Sequence, residues 1–332
     1  MNFRSYLLAC ATFLTVSCTT HENQDPLPSW NETDIKQQLL DYVNVTAKDI
    51  PVEDRIAVFD MDGTIACEQP LWYEMAVAVN KMVELQEQDT TLKQLTEFQY
   101  AAKLAKNPQD SSVLKNWFVG GANYLDSIIM KAFDGVEHED YVKYAHDFLN
   151  NNEAPKYGMK YADMFYQPML ELIEFLQKKE FQVYIVSGSM QGLVWSVCPQ
   201  NVDLDRNHLI GTRQKMNVSF PKEGPASYVI QKSVLQPKNN YYGKSVNIYN
   251  HIGKIPVMAI GNTTGDFGMF HMASTSKYPH FVMMLNHDDA EREFAYRPFY
   301  GSDIPDWQDS LRTNHWIQAD MSKEFKTVWK TK

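Results

Sequence analysis

The chain has 332 residues, 44% of them hydrophobic and 13% aromatic, enough for a large core, with a formal net charge of −10. No long Lys/Arg run occurs, which excludes the electrostatic footprint of a nucleic-acid binder.

The amino terminus, "MNFRSYLLACATFLTVSC", carries Arg4, an apolar stretch from Tyr6 to Val16, then Ser17 and Cys18. The stretch is too short to span a bilayer as an ordinary helix and reads as an export signal. Small residues before Cys18 point to a lipoprotein signal over residues 1–18, with Cys18 the first, lipidated residue of the mature chain; an ordinary cleaved signal is the alternative. This predicts an exported protein anchored at the periplasmic or outer-membrane face, or otherwise periplasmic. Residues 19–50 are expected to hold a polar tether, Thr19 to Trp30, and an N-terminal helix. Cys67 and Cys198, the two left in the mature chain, make no disulfide framework; they are expected to be buried free thiols, with a single bridge between them the alternative.

Four short, nearly continuous apolar runs read as buried parallel strands: "RIAVFD" (55–60), "FQVYIV" (181–186), "IPVMAI" (255–260) and "HFVMML" (280–285). Helical patterns precede the second and third, at 169–179 and 244–253. The alternation predicts an α/β fold with a doubly wound, Rossmann-like parallel sheet. More than a hundred residues separate the first two strands, and they read as helices rich in Trp, Tyr, Phe and Met. We therefore expect a core of residues 51–67 and 168–332 and a helical cap, residues 68–167, inserted after the first strand. Aromatics of this insertion (Trp72, Tyr73, Trp117, Phe118, Tyr124) are expected to fill helix faces rather than form a cage for a cationic ligand. From Leu209 to Lys232, two extended segments flanking "PKEGP" predict a β-hairpin.

Ligands of open α/β sheets bind at the carboxyl ends of the strands. Here those ends carry Asp60, Asp62, Gly63 and Thr64; Ser187, Gly188 and Ser189; Gly261 to Asp266; and Asn286 to Asp289. Carboxylates, hydroxyls and glycines converging at one sheet edge suit phosphoryl transfer. Asp60 would be the nucleophile and Asp62 the acid/base. Mg²⁺ prefers oxygen ligands, for which Asp60 and Asp266 are the natural pair, with Asn262 a neutral donor. Ser187 and adjacent backbone N–H groups, including that of Gly188, would hold phosphoryl oxygens. Lys244 would neutralise charge, with Lys238 and Lys254 as nearby alternatives. Glu68, at the root of the insertion, either touches substrate or caps the next helix. The acids after His287 either favour a helix start at "AEREFAY" or form the rim of the site.

"DMDGT", "VSGS", "GKS" and "GNTTGD" resemble, in that order, the four motifs of the haloacid dehalogenase superfamily, and the insertion resembles the cap of its phosphoserine-phosphatase-like branch. Further stretches ("CEQPLWYE", "HDDAEREFAY") look like an exported bacterial branch. The resemblance implies a Mg²⁺-dependent phosphomonoesterase acting on small phosphate esters. It implies roles for Asp60 (nucleophile, metal), Asp62 (acid/base, with its backbone carbonyl on the metal), Ser187 and Lys244 (phosphate) and Asp266 (metal). Asn262 stands where many members have Asp. A phosphotransferase, or a phosphate-ester-binding protein with reduced turnover, are the alternatives. No nucleic-acid partner is expected, and the membrane would be met only through the lipid anchor.

Overall fold

The computed structural model describes residues 25–110, 113, 124–297 and 307–330. The signal and lipidation readings, Cys18 included, and Trp117 and Phe118 fall outside the described residues. Among those residues no helix is long and apolar enough to cross a membrane.

Six parallel strands form the central sheet: β1 (Ile56–Phe59), β2 (Gln182–Met190), β3 (Leu209–Thr212), β6 (Met258–Gly261), β7 (Phe281–Asn286) and β8 (Ile317–Asp320), in the order β3-β2-β1-β6-β7-β8. Every residue of β1 and β6 is buried, as continuous apolar runs covered on both faces demand. The sheet order reverses beside β1, which has β2 on one side and β6 on the other. That reversal opens a crevice at the carboxyl end of β1.

The helical insertion after β1 contains α2 (Tyr73–Gln88), α3 (Thr96–Lys106), α4 (Tyr124–Ala132) and α5 (His138–Asn151). Its two linkers run side by side. Cys67 N donates to Met164 O at 2.9 Å and Tyr166 N to Ile65 O at 2.9 Å. The predicted hairpin exists as a separate two-stranded sheet, β4 (Gln214–Ser219) with β5 (Ser227–Val234). It leans on the insertion, where Gly135 N donates to Ile230 O at 2.9 Å and Ile230 N to Val136 O at 2.9 Å.

Several expectations are corrected. "LIGT", read as part of the hairpin, is β3, a parallel edge strand of the main sheet. Gly211 allows this, because a Cβ there would come within 2.6 Å of the Gln191 backbone. β8, "IQAD", was not anticipated; it is short and half-polar, and its ladder to β7 needs backbone rather than an apolar pattern. The "AEREFAY" segment forms a turn, not a helix. Asp289 Oδ1 there accepts Arg292 N at 3.0 Å, and Asp288 Oδ1 accepts Ser322 N at 2.8 Å. Residues 25–30, expected to end a tether, are docked on the core. Leu27 and Trp30 are buried, Trp30 Nε1 donates to Pro168 O at 2.9 Å, and the indole packs edge-on against Phe325. The helix that follows, α1 (Asp34–Asn44), buries Leu39, Tyr42 and Val43. Cys67 and Cys198 are buried and unbridged.

Trp30→Ala should therefore cost about 3–5 kcal/mol of unfolding free energy. A urea titration would check this; a midpoint equal to that of wild type would show that the segment is a tether after all.

Candidate active site

β1 runs straight into the site. Asp60 N donates to Ile260 O at 2.9 Å, keeping the chain in sheet geometry up to the carboxylate. A tight turn follows, closed by Gly63 N to Ala66 O at 2.7 Å and Thr64 N to Met61 O at 3.1 Å. Gly63 has φ of 76°, and a Cβ there would lie 1.9 Å from Asn262 Nδ2. Both the left-handed backbone and the close approach require glycine.

Lys244, in the first turn of the helix Tyr242–Ile252, is buried between two carboxylates. Its Nζ lies 2.5 Å from Asp60 Oδ1 and 2.6 Å from Asp266 Oδ1. The other oxygen of Asp266 accepts the N–H groups of Asn262 and Thr263, each at 3.0 Å. Of the alternative lysines, Lys254 pairs with Asp54, and Lys238 pairs with Asp126 of α4 at the cavity wall.

Asp62 occupies the next alcove. Its Oδ2 accepts Ser187 Oγ at 3.0 Å and Ser189 Oγ at 2.9 Å, while its Oδ1 is buried with no protein donor. Burial holds its carboxyl above the ordinary range, against the opposing pull of the two serine hydroxyls. The Ser187 hydroxyl is thus directed at Asp62 and also accepts Ser189 N at 3.0 Å. Gly188 lines the cavity, and its carbonyl accepts Thr212 Oγ1 at 2.7 Å.

Asn262 donates through Nδ2 to Glu68 Oε1 at 2.8 Å. That bond turns its amide oxygen towards Thr64, whose hydroxyl lies 3.4 Å from it and 3.2 Å from Asp60 Oδ2. Glu68 therefore orients Asn262, a task its sequence position did not disclose. The structure brings together Asp60, Asp62, Glu68, Gly188, Lys244, Asn262 and Asp266 around one cavity of about 330 Å³. Ser187 stands just behind it.

Residues that had been given no role also line it, including Ser189, Glu74 and Asp126. Ser189 was legible in "VSGS", since a strand residue two places from Ser187 shares its face. Glu74 of α2 carried no signal distinguishing it from a solvated helix acid. Its Oε1 accepts Met190 N at 2.8 Å across the boundary between insertion and sheet.

The charge balance bears on a metal ion. Burial first, and the neighbouring Asp266 charge second, push Asp60 up to about 8 even with Lys244 beside it. A carboxylate nucleophile at neutral pH needs further positive charge. The donor set fits Mg²⁺, because two carboxylates and an oriented amide oxygen are hard oxygen ligands. Among the described residues no group of three or more His, Cys, Asp and Glu side chains forms a metal cluster. A cation here would thus rest on Asp60, Asp266 and neutral oxygens, with the Asp62 side chain engaged by serines.

A family model described as haloacid dehalogenase-like hydrolase matches residues 55–233. The chain belongs to this family. Lys244, Asn262 and Asp266 lie beyond the matched span, so their place in the site rests on geometry. No curated protein matches the chain. Among solved structures, it is similar to a functionally unknown protein from Anaerococcus prevotii, at 14% identity and a TM-score of 0.51, over 86% of this chain and 91% of that one. It is likewise similar to a protein of unknown function from Bordetella pertussis, at 11% identity and a TM-score of 0.51, over 80% and 98%. At such identities the likeness extends to the fold alone.

Glu74 provides a prediction. Burial pushes its carboxyl up to about 8, against 4.5 for a free side chain. Between those values the native state holds a proton that the unfolded chain has lost, so stability falls as pH rises through that window. Glu74→Gln keeps an oxygen for Met190 N and cannot ionise. Its melting temperature should exceed that of wild type at pH 8 and approach it near pH 5; equal temperatures at both would refute the assignment.

Proposed function

We propose that the protein is a Mg²⁺-dependent phosphomonoesterase acting on small phosphate esters. One observation carries this reading: two acids on a single turn are given different partners beside one cavity. Asp60 faces a lysine ammonium, and Asp62 is a buried acid cradled by hydroxyls.

Asp60 attacks phosphorus, and the bond to the leaving oxygen breaks. Asp62 delivers its proton to that oxygen, releasing the alcohol and leaving an aspartyl phosphate. Water, deprotonated by Asp62, then attacks phosphorus, freeing inorganic phosphate and restoring the Asp60 carboxylate. Lys244 offsets charge on the transferred group, and the N–H groups beside Ser187 and Gly188 are suited to its oxygens. A bound Mg²⁺, held by Asp60, Asp266, Asn262 and the Asp62 backbone carbonyl, would keep Asp60 ionised and draw phosphoryl charge. The insertion excludes water over the reacting centre and contributes Trp72, Glu74, Ile129 and Asp126 to the wall that meets the leaving group.

The test is phosphate release from a broad panel of phosphate esters with 5 mM Mg²⁺ or with EDTA (about 5 mM being ample for a site of the usual affinity class). Release should vanish with EDTA and fall by more than about 10³-fold in Asp60→Asn, which keeps the shape but cannot attack. Release that survives either change would sink the reading. An added acceptor alcohol distinguishes a phosphotransferase, because alcohol would then be liberated in excess of phosphate.

Export and lipid anchoring are a separate proposal resting on residues 1–18. In a bacterial host, Cys18→Ser should move the protein from the membrane fraction to the soluble one; an unchanged membrane fraction would contradict lipidation at Cys18.

A further inference from the structure

The segment after β7 holds a buried polar hub that the chemistry above does not use. Glu293 is wholly buried, and each of its oxygens is engaged. Its Oε1 accepts Cys67 Sγ at 3.0 Å and Tyr166 OH at 2.9 Å. Its Oε2 accepts Phe294 N at 2.6 Å and lies 3.1 Å from His287 Nδ1. Its backbone carbonyl accepts Lys156 Nζ and Tyr157 OH from the end of the insertion.

The origins of these donors are informative. Cys67 belongs to the linker by which the chain leaves the sheet for the cap, and Tyr166 to the linker by which it returns. His287 stands at the end of β7 and turns its other nitrogen, Nε2, to Gly63 O at 2.6 Å. A carbonyl oxygen can only accept, so Nε2 carries the proton there. Gly63 directly follows Asp62. Tyr296 stacks on the imidazole with ring centroids 4.3 Å apart, so the ring is clamped on its face as well as at both nitrogens. Burial alone would raise the Glu293 carboxyl, yet the groups facing it, His287 first, hold it below the ordinary carboxylate range.

We propose that Glu293 and His287 are positioning residues that couple the two cap linkers to the turn bearing Asp62. This inference rests on the phosphatase reading for its effect on rate. One carboxylate oxygen senses both linkers, the other holds the imidazole, and the imidazole holds the carbonyl next to the acid. Rotation of the cap about its linkers changes the donors at Oε1, and the rigid carboxylate passes that change to Gly63. A purely structural filler would not need this arrangement, since burying a carboxylate with four donors costs desolvation that an apolar side chain of similar volume avoids.

The experiment compares Glu293→Gln, Tyr166→Phe, His287→Ala and His287→Gln with wild type. Steady-state kinetics would use p-nitrophenyl phosphate and Mg²⁺, and amide hydrogen exchange would be followed at residues 61–66. In folded Glu293→Gln, kcat should fall on the order of 10²-fold with KM nearly unchanged, as expected for a displaced acid rather than lost binding. Exchange at the turn should quicken while the β1 and β6 amides keep their protection. Tyr166→Phe should do the same to a smaller degree. His287→Gln retains an N–H for Gly63 O and should recover part of the kcat that His287→Ala loses.

Unchanged kcat and turn exchange in folded Glu293→Gln would overturn the proposal. So would a change confined to KM, or equal losses in the two His287 variants. If Glu293→Gln does not fold, Tyr166→Phe and the His287 pair decide by the same criteria. Exchange needs no turnover. An inactive wild type would therefore defeat the phosphatase reading, while the coupling of hub to turn would still be decided by the exchange data.

Discussion

The site depends on one ammonium group between two buried carboxylates. Bringing Asp60 and Asp266 together out of water would be strongly unfavourable without an opposing charge, and Lys244 supplies it at 2.5 and 2.6 Å. One lysine against two acids leaves an excess of negative charge, with Asp62 and Glu68 close by. Burial first, and the neighbouring Asp266 charge second, raise the affinity of Asp60 for a proton. That imbalance is what makes a divalent cation part of the function proposed above, since its charge would offset the excess.

The sheet sets this chemistry in place. Asp60 and Asp62 follow β1, the serines end β2, and Asn262 and Asp266 follow β6, so the contributing strands are the central three. Parallel strands share a direction, hence their carboxyl ends meet at one edge. Small side chains then permit contact. Gly63 lets Asn262 and Glu68 approach, and Gly261 leaves room for the Asp266 carboxylate, which would be 2.5 Å from a Cβ there.

Much of this was legible in the amino-acid sequence, and what was not has physical reasons. Strands buried on both faces write themselves as apolar runs, which is why β1, β2, β6 and β7 were found. β3 and β8 are the outer strands of the described sheet: β8 is short and half-polar, while β3 runs almost directly into β4 and so reads as part of the hairpin. Asp60 and Asp62 at the end of β1, and Lys244 in the first turn of its helix, lay in motifs with fixed spacing. Glu68, Glu74 and Glu293 did not, because their tasks arise from partners 194, 116 and 226 residues away, and no local pattern encodes such a meeting. Trp30 misled for the opposite reason, since a polar neighbourhood disguised two buried anchors.

The cap's two linkers lie side by side, joined by backbone hydrogen bonds between Cys67 and Met164 and between Ile65 and Tyr166. An insertion whose ends meet imposes no demand on the length of what lies between them. To the sheet it is a closed excursion, as a long loop is to a hairpin, and its closure entropy grows only slowly with added residues. The insertion can therefore change in length and surface without disturbing the turn that carries Asp60 and Asp62.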